Sequence, residues 1–132
     1  MKKIKGFTLI EVLIVVAILG IITAIAYPSY LDSVRKSNRS DAKASLNSRV
    51  QQMHRCYSRD FDFTDCSAVG VEDSAEGLYA IEVTVGDGGQ SFEASAIPIA
   101  GTIQAKDTEC QEFSINNLGG KDATPDTYDT CW

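Results

Sequence analysis

Apolar and polar positions divide the chain near Tyr30. Phe7–Tyr30 is an almost unbroken apolar run carrying one formal charge, Glu11. At ~1.5 Å per residue it predicts a helix of roughly 35 Å, enough to cross a bilayer core of ~30 Å. After Pro28 the pattern turns periodic. Leu31, Val34, Ala42, Leu46, Val50, Met53 and Tyr57 recur mostly at spacings of three or four, and polar residues such as Arg35, Arg39, Lys43 and Asn47 fill the other faces. The helix is therefore expected to continue as an amphipathic one with a single core-facing stripe.

Cys56–Gly77 loses the helical period and reads as an irregular connection. Leu78–Val85 alternates, Gly86-Asp87-Gly88-Gly89 signals a turn, and Ser91–Ile99 alternates until Ile97-Pro98-Ile99. These two stretches predict a hairpin, with Pro98 at a strand end or edge. Ala100–Thr108 reads as a linker, Glu109–Ile115 as a third strand, Asn116–Gly120 as a turn and Lys121–Thr130 as a polar tail. A long helix followed by a small antiparallel meander is an α+β arrangement, with the helix stripe covering one sheet face.

Of the 132 residues, about 100 remain beyond the apolar run, enough for one small domain whose thin core would gain from cross-links. There are four cysteines, Cys56, Cys66, Cys110 and Cys131, and four allow three pairings. No C-x-x-C occurs, and the single histidine, His54, stands in no ligand-like array, so no metal is expected. No cofactor and no catalysis are expected either: there is no nucleophile elbow, H-E-x-x-H or phosphate loop. The carboxylates Asp60, Asp62, Asp65, Glu72, Asp73 and Glu76 read as a solvated surface without EF-hand spacing.

Charge is unevenly placed. The chain carries −6, yet Cys56–Trp132 holds three basic residues against fifteen acidic ones, 3 − 15 = −12. That balance argues against a broad nucleic-acid footprint, leaving only a local patch of Arg49, Arg55, Arg59 and Lys106. Lys2, Lys3 and Lys5 precede the apolar run and orient the N-terminus to the cytoplasm by the positive-inside rule, although Arg35 and Lys36 beyond it blur the bias. A cleaved secretory signal is the rival, but its apolar run is usually shorter and its small residues follow that run. Here Gly6 precedes it. Glu11 is the awkward residue, since a carboxylate in an apolar helix costs roughly 2.5–3.5 kcal/mol on insertion scales.

Gly6-Phe7-Thr8-Leu9-Ile10-Glu11 resembles the cleavage and methylation signature of type IV prepilins, and Gly20, Pro28 and Tyr30 fall where that family has Gly, Pro and Tyr. Pseudopilins of type II secretion share the same stretch. The resemblance implies the type IV pilin fold, with a sheet of three to four strands. It divides the chain into a cleaved leader (1–6), a transmembrane and filament-core helix (7–30) and a globular head (31–132). It implies a peptidase and methyltransferase that cuts between Gly6 and Phe7 and methylates the new amine. It gives Glu11 an assembly role opposite a neighbour's Phe7 amine, and makes Gly20 and Pro28 a kink that unwinds on packing. The implied partners are other pilins in a helical filament, the inner-membrane assembly machinery and the bilayer. The implied location is the inner membrane, head in the periplasm, and then the extracellular pilus.

The strand pattern, the Asp107-Thr108-Glu109-Cys110 run and the terminal Cys131-Trp132 resemble PilE- and ComP-type minor pilins, a group that includes a DNA-uptake receptor. The sequential pairing, Cys56–Cys66 and Cys110–Cys131, is favoured. The first would hold down a long loop, and the second resembles the disulfide-bounded C-terminal region of pilins. The expected function is that of a minor pilus subunit supporting biogenesis, twitching motility, adhesion or DNA uptake. A secretion pseudopilin and a DNA-binding competence pilin are the alternatives, and the acidic head disfavours DNA.

Overall fold

The computed structural model describes residues 6–125 and 128–132. Lys2, Lys3 and Lys5 lie outside the described residues. The chain divides into two units, Met1–Val34 and Arg35–Trp132.

Helix α1 spans Leu9–Asp60. Thr8 opens it as an N-cap: its Oγ1 accepts from the Glu11 amide at 3.3 Å. In the first unit every residue from Gly6 to Tyr30 is exposed. In the second, Ala42, Leu46 and Met53 of α1 are fully buried, and Val50 and Tyr57 pack partly against the core. These five fall on the apolar stripe read from the periodicity. The helix stops where Phe61 turns to φ 53°, its amide donating to the Tyr57 carbonyl at 2.8 Å.

The sheet is antiparallel and ordered as in the chain: β1 (Gly70–Asp73), β2 (Tyr79–Gly86), β3 (Ser91–Pro98), β4 (Glu112–Asn116) and β5 (Lys121–Thr124). A four-residue helix, α2 (Tyr128–Cys131), follows. Strands β2 and β3 bury alternate residues, Tyr79, Ile81 and Val83 against Phe92, Ala94 and Ala96, with Phe113 and Ile115 continuing the face on β4. The β2–β3 turn needs its glycine at Gly89, where φ is +89° and a Cβ would collide with the Asp62 carboxylate.

Five strands replace the expected three to four. β1 lies inside the stretch read as an irregular connection. All four of its residues are exposed, so it has no alternation to read and exists through its pairing with β2. β5 lies in the polar tail and buries Ala123 alone. The third predicted strand begins three residues late, at Glu112 rather than Glu109, because Asp107 Oδ1 draws in the amides of Glu109 and Cys110 at 3.2 and 3.3 Å. The expected linker carries a 3-10 turn, Gln104–Lys106.

Candidate assembly site

At the start of α1, Phe7 is 86% exposed and Glu11 sits in the first helical turn. The Glu11 carboxylate has no hydrogen-bond or ion-pair partner among the described residues. Thr8 and Glu11 stand as T-x-x-E, the spacing of a capping box, so the sequence itself carries the signal for this helix start. The cap fixes the first turn and so fixes where the Glu11 side chain leaves the helix. Gly20 and Pro28 both lie inside α1 as helical residues. Between them Thr23 Oγ1 donates to the Leu19 carbonyl at 2.7 Å, a back-bond of the kind that accompanies helix bending. A helix surface this extensively apolar is not stable in water, so lipid or protein must cover it.

In the second unit the strongest polar cluster centres on Arg39, which is 4% exposed. Its Nε and Nη2 donate to Asp107 Oδ2 and Oδ1 at 2.7 and 2.8 Å, Nη2 donates to Glu109 Oε2 at 2.9 Å, and Nη1 to the Thr130 carbonyl at 3.3 Å. Burial works to raise the Asp107 pKa, but the Arg39 hydrogen bonds and charge outweigh it and hold the carboxyl below its usual range. The Glu109 carboxyl is lowered too, by the Arg39 hydrogen bond and then by the charge of Lys36, 3.8 Å away. Arg39 was read from the sequence only as a polar-face residue. The D-T-E-C run thus has a physical role: its two carboxylates grip Arg39 and its cysteine is cross-linked.

Disulfides join Cys56 to Cys66 and Cys110 to Cys131, with Cα–Cα distances of 5.8 and 5.7 Å. Trp132 packs edge-on to Phe113, its Nε1 donates to the Asp122 carbonyl at 2.7 Å, Lys121 lies over its ring, and Lys43 donates to its backbone oxygen at 3.2 Å.

The patch proposed for nucleic acid is not assembled. Arg49 is ion-paired with Glu72, and Arg59 with Asp60 at 2.7 Å. Lys106 follows Gln104, whose Nε2 donates to the Arg35 carbonyl at 3.2 Å, while Arg59 lies 24 residues further along α1, ~36 Å at 1.5 Å per residue. Only Arg55 and Arg59 share a shallow groove, with Gln52, Cys56, Asp65 and Ser67. His54 stands edge-on to Phe92 and Phe63 at 5.6 and 6.4 Å, a packing role.

A family model described as "Type IV minor pilin ComP, DNA uptake sequence receptor" matches residues 28–114, and one described as "Prokaryotic N-terminal methylation motif" matches residues 1–27. The chain is a type IV pilin of the ComP type. Among curated pilins it is 38% identical over 86 residues to the fimbrial protein EcpC of Eikenella corrodens, covering 64% of this chain and 56% of that protein. It is 32% identical over 108 residues to the type IV major pilin PilE of Neisseria gonorrhoeae, covering 77% and 63%. It is also 32% identical over 101 residues to the type IV major pilin PilA of Myxococcus xanthus, covering 74% and 46%. The chain spans about half the length of the curated relatives it matches. A solved type IV pilin from Shewanella oneidensis shares the fold, with TM-score 0.56 and 23% identity over 74% of this chain and 97% of that one. The pilin family is structural rather than enzymatic, and its members assemble with other pilins into filaments. The apolar helix and the methylation motif fit a pilin that is anchored in a membrane and later enters a pilus.

Proposed function

We propose that the chain is a minor structural subunit of a type IV pilus, held in the inner membrane with its N-terminus in the cytoplasm and its head in the periplasm before it enters the fibre. Cleavage between Gly6 and Phe7 frees the Phe7 amine, which is then methylated. The carrying observation is the apolar surface of residues 6–30, exposed on every face and interrupted by one carboxylate without a partner among the described residues. In a bundle of such helices a lone Glu11 is costly, and a neighbour's Phe7 amine neutralises it and sets the axial register. Gly20 and Pro28 are the points where α1 yields on packing. The minor grade rests on the ComP description, while several relatives bear the name of major pilins. Mass spectrometry of sheared filaments tests the reading: it expects this chain, at low stoichiometry, beginning at methylated Phe7 and carrying both disulfides. Its absence from pili, with loss of secretion on deletion, would make it a type II pseudopilin.

A second reading is DNA capture during uptake, favoured by the ComP match across residues 28–114 and by the Arg55–Arg59 groove. The acidic head weighs against it. Gel retardation by the full chain in detergent at low salt, lost in an Arg55→Gln/Arg59→Gln variant, supports it. No retardation at high protein concentration removes it.

A further inference from the structure

Arg35 and Lys36 stand on the side of the apolar run where the positive-inside rule disfavours them. Charge in the second unit is polarised along α1. At its beginning are Arg35, Lys36 and, brought alongside by the bond from Gln104 to the Arg35 carbonyl, Lys106. Gln104 is fully buried, so this tether is fixed. Lys36 keeps 59% of its side chain exposed, and Lys106 is exposed with no ion pair among the described residues. The carboxylates at this end are engaged: Asp107 is buried on Arg39, Glu109 is shared by Arg39 and Lys36, and Asp32, exposed one turn before Lys36, has an interaction of its own. At the other end, where the Phe63 amide donates to the Gly89 carbonyl at 2.9 Å, the carboxylates Asp60, Asp62 and Asp87 outnumber Arg55 and Arg59.

Chain length sets how far this basic end can be from a bilayer. Five residues separate Tyr30 from Arg35, at most ~18 Å of fully extended chain. A cation that close to an anionic surface gains about 1 kcal/mol, and the attraction decays over a Debye length of ~8 Å in physiological salt.

We propose that Lys36 and Lys106 form a docking surface for anionic phospholipid headgroups, which moors the head to the membrane until the subunit is drawn into a fibre. This rests on the anchored reading of residues 7–30. Repulsion between the acidic far end and the same surface orients the mooring, with Asp60, Asp62 and Asp87 turned away.

Trp132 is the single tryptophan and gives an intrinsic probe. The full chain is reconstituted in vesicles of phosphatidylcholine alone, or mixed with phosphatidylglycerol, each bearing a dansyl headgroup acceptor. Energy transfer from Trp132 should be higher with phosphatidylglycerol and fall in high salt. Lys36→Gln/Lys106→Gln should abolish the difference, each lysine changing the moored-to-free ratio about fivefold. An Arg55→Gln/Arg59→Gln variant should keep it. Equal transfer in both lipids, or equal loss in the Arg55/Arg59 variant, overturns the proposal. Flotation keeps the two readings separate: failure to float with vesicles overturns the anchor, whereas floating without lipid dependence overturns only the mooring.

Discussion

Arg39 and Asp107, 68 positions apart in the chain, meet through two parallel hydrogen bonds of 2.7 and 2.8 Å, with 5% and 3% of their side chains exposed. A bidentate pair this buried fixes geometry as well as energy. Removing one partner strands the other charge. Asp107→Ala should therefore destabilise the chain by about 3–5 kcal/mol, read by chemical denaturation in detergent. Arg39→Lys should not restore stability, since an ammonium cannot make the fork. Replacing both partners with apolar residues of similar volume should cost much less than either single change.

The same cluster sets the response to acid. Asp107 and Glu109 both titrate below the ordinary carboxylate range in the folded chain. Their stabilisation is complete above that range, near pH 4, and is lost as pH falls through the lowered folded values. Stability should thus be flat from neutrality to about pH 5 and drop below ~4. Asp107→Asn should flatten the acid limb. An unchanged limb in that variant would show that other carboxylates govern it.

The two disulfides should differ in lability. Cys110 and Cys131 are fully buried, whereas Cys56 is partly exposed. Mild reductant followed by alkylation and mass mapping should label Cys56 and Cys66 first. Loop closure over 10 and 21 residues predicts about 3 kcal/mol of stability from each bridge, so serine replacement of either pair should be felt comparably.

Ser74 should tolerate replacement poorly for its size. Its hydroxyl donates to the Asp41 carboxylate at 2.5 Å and accepts the amides of Leu78 and Tyr79 at 3.1 and 3.0 Å. Ser74→Ala leaves a buried carboxylate short of a donor and should cost about 1–3 kcal/mol, measured as a lowered Tm.

At the other end of the chain, Glu11→Val should keep or strengthen membrane insertion while preventing incorporation into fibres. Flotation and sheared-fibre blots separate the two effects, and normal incorporation would sink the assembly role. Thr8→Ala should weaken the first turn by about 1 kcal/mol and lower incorporation partially.

The sequence made α1 legible because its apolar run and its stripe through Leu46 and Met53 repeat a single period over many turns. The β2–β3 hairpin was legible because Tyr79, Ile81 and Val83 alternate around a glycine turn. β1 and β5 were not, since Gly-Val-Glu-Asp buries nothing and Lys-Asp-Ala-Thr buries one alanine: a strand held by its backbone leaves no side-chain pattern. Arg39 was invisible for a different reason. Its partners lie 68 to 91 positions away, and local periodicity says nothing about pairing at that range. The Thr8–Glu11 cap was readable from spacing alone.

The Arg39 cluster also bears on how the head would carry load. A fibre that is pulled transmits tension along α1, and tension enters the head within its first turns, where Arg39 grips two carboxylates and the Thr130 carbonyl. Those acceptors flank Cys110 and Cys131, so the load passes at once into a covalently closed segment. The Arg39 cluster thus ties α1 directly to the segment that the Cys110–Cys131 bridge closes.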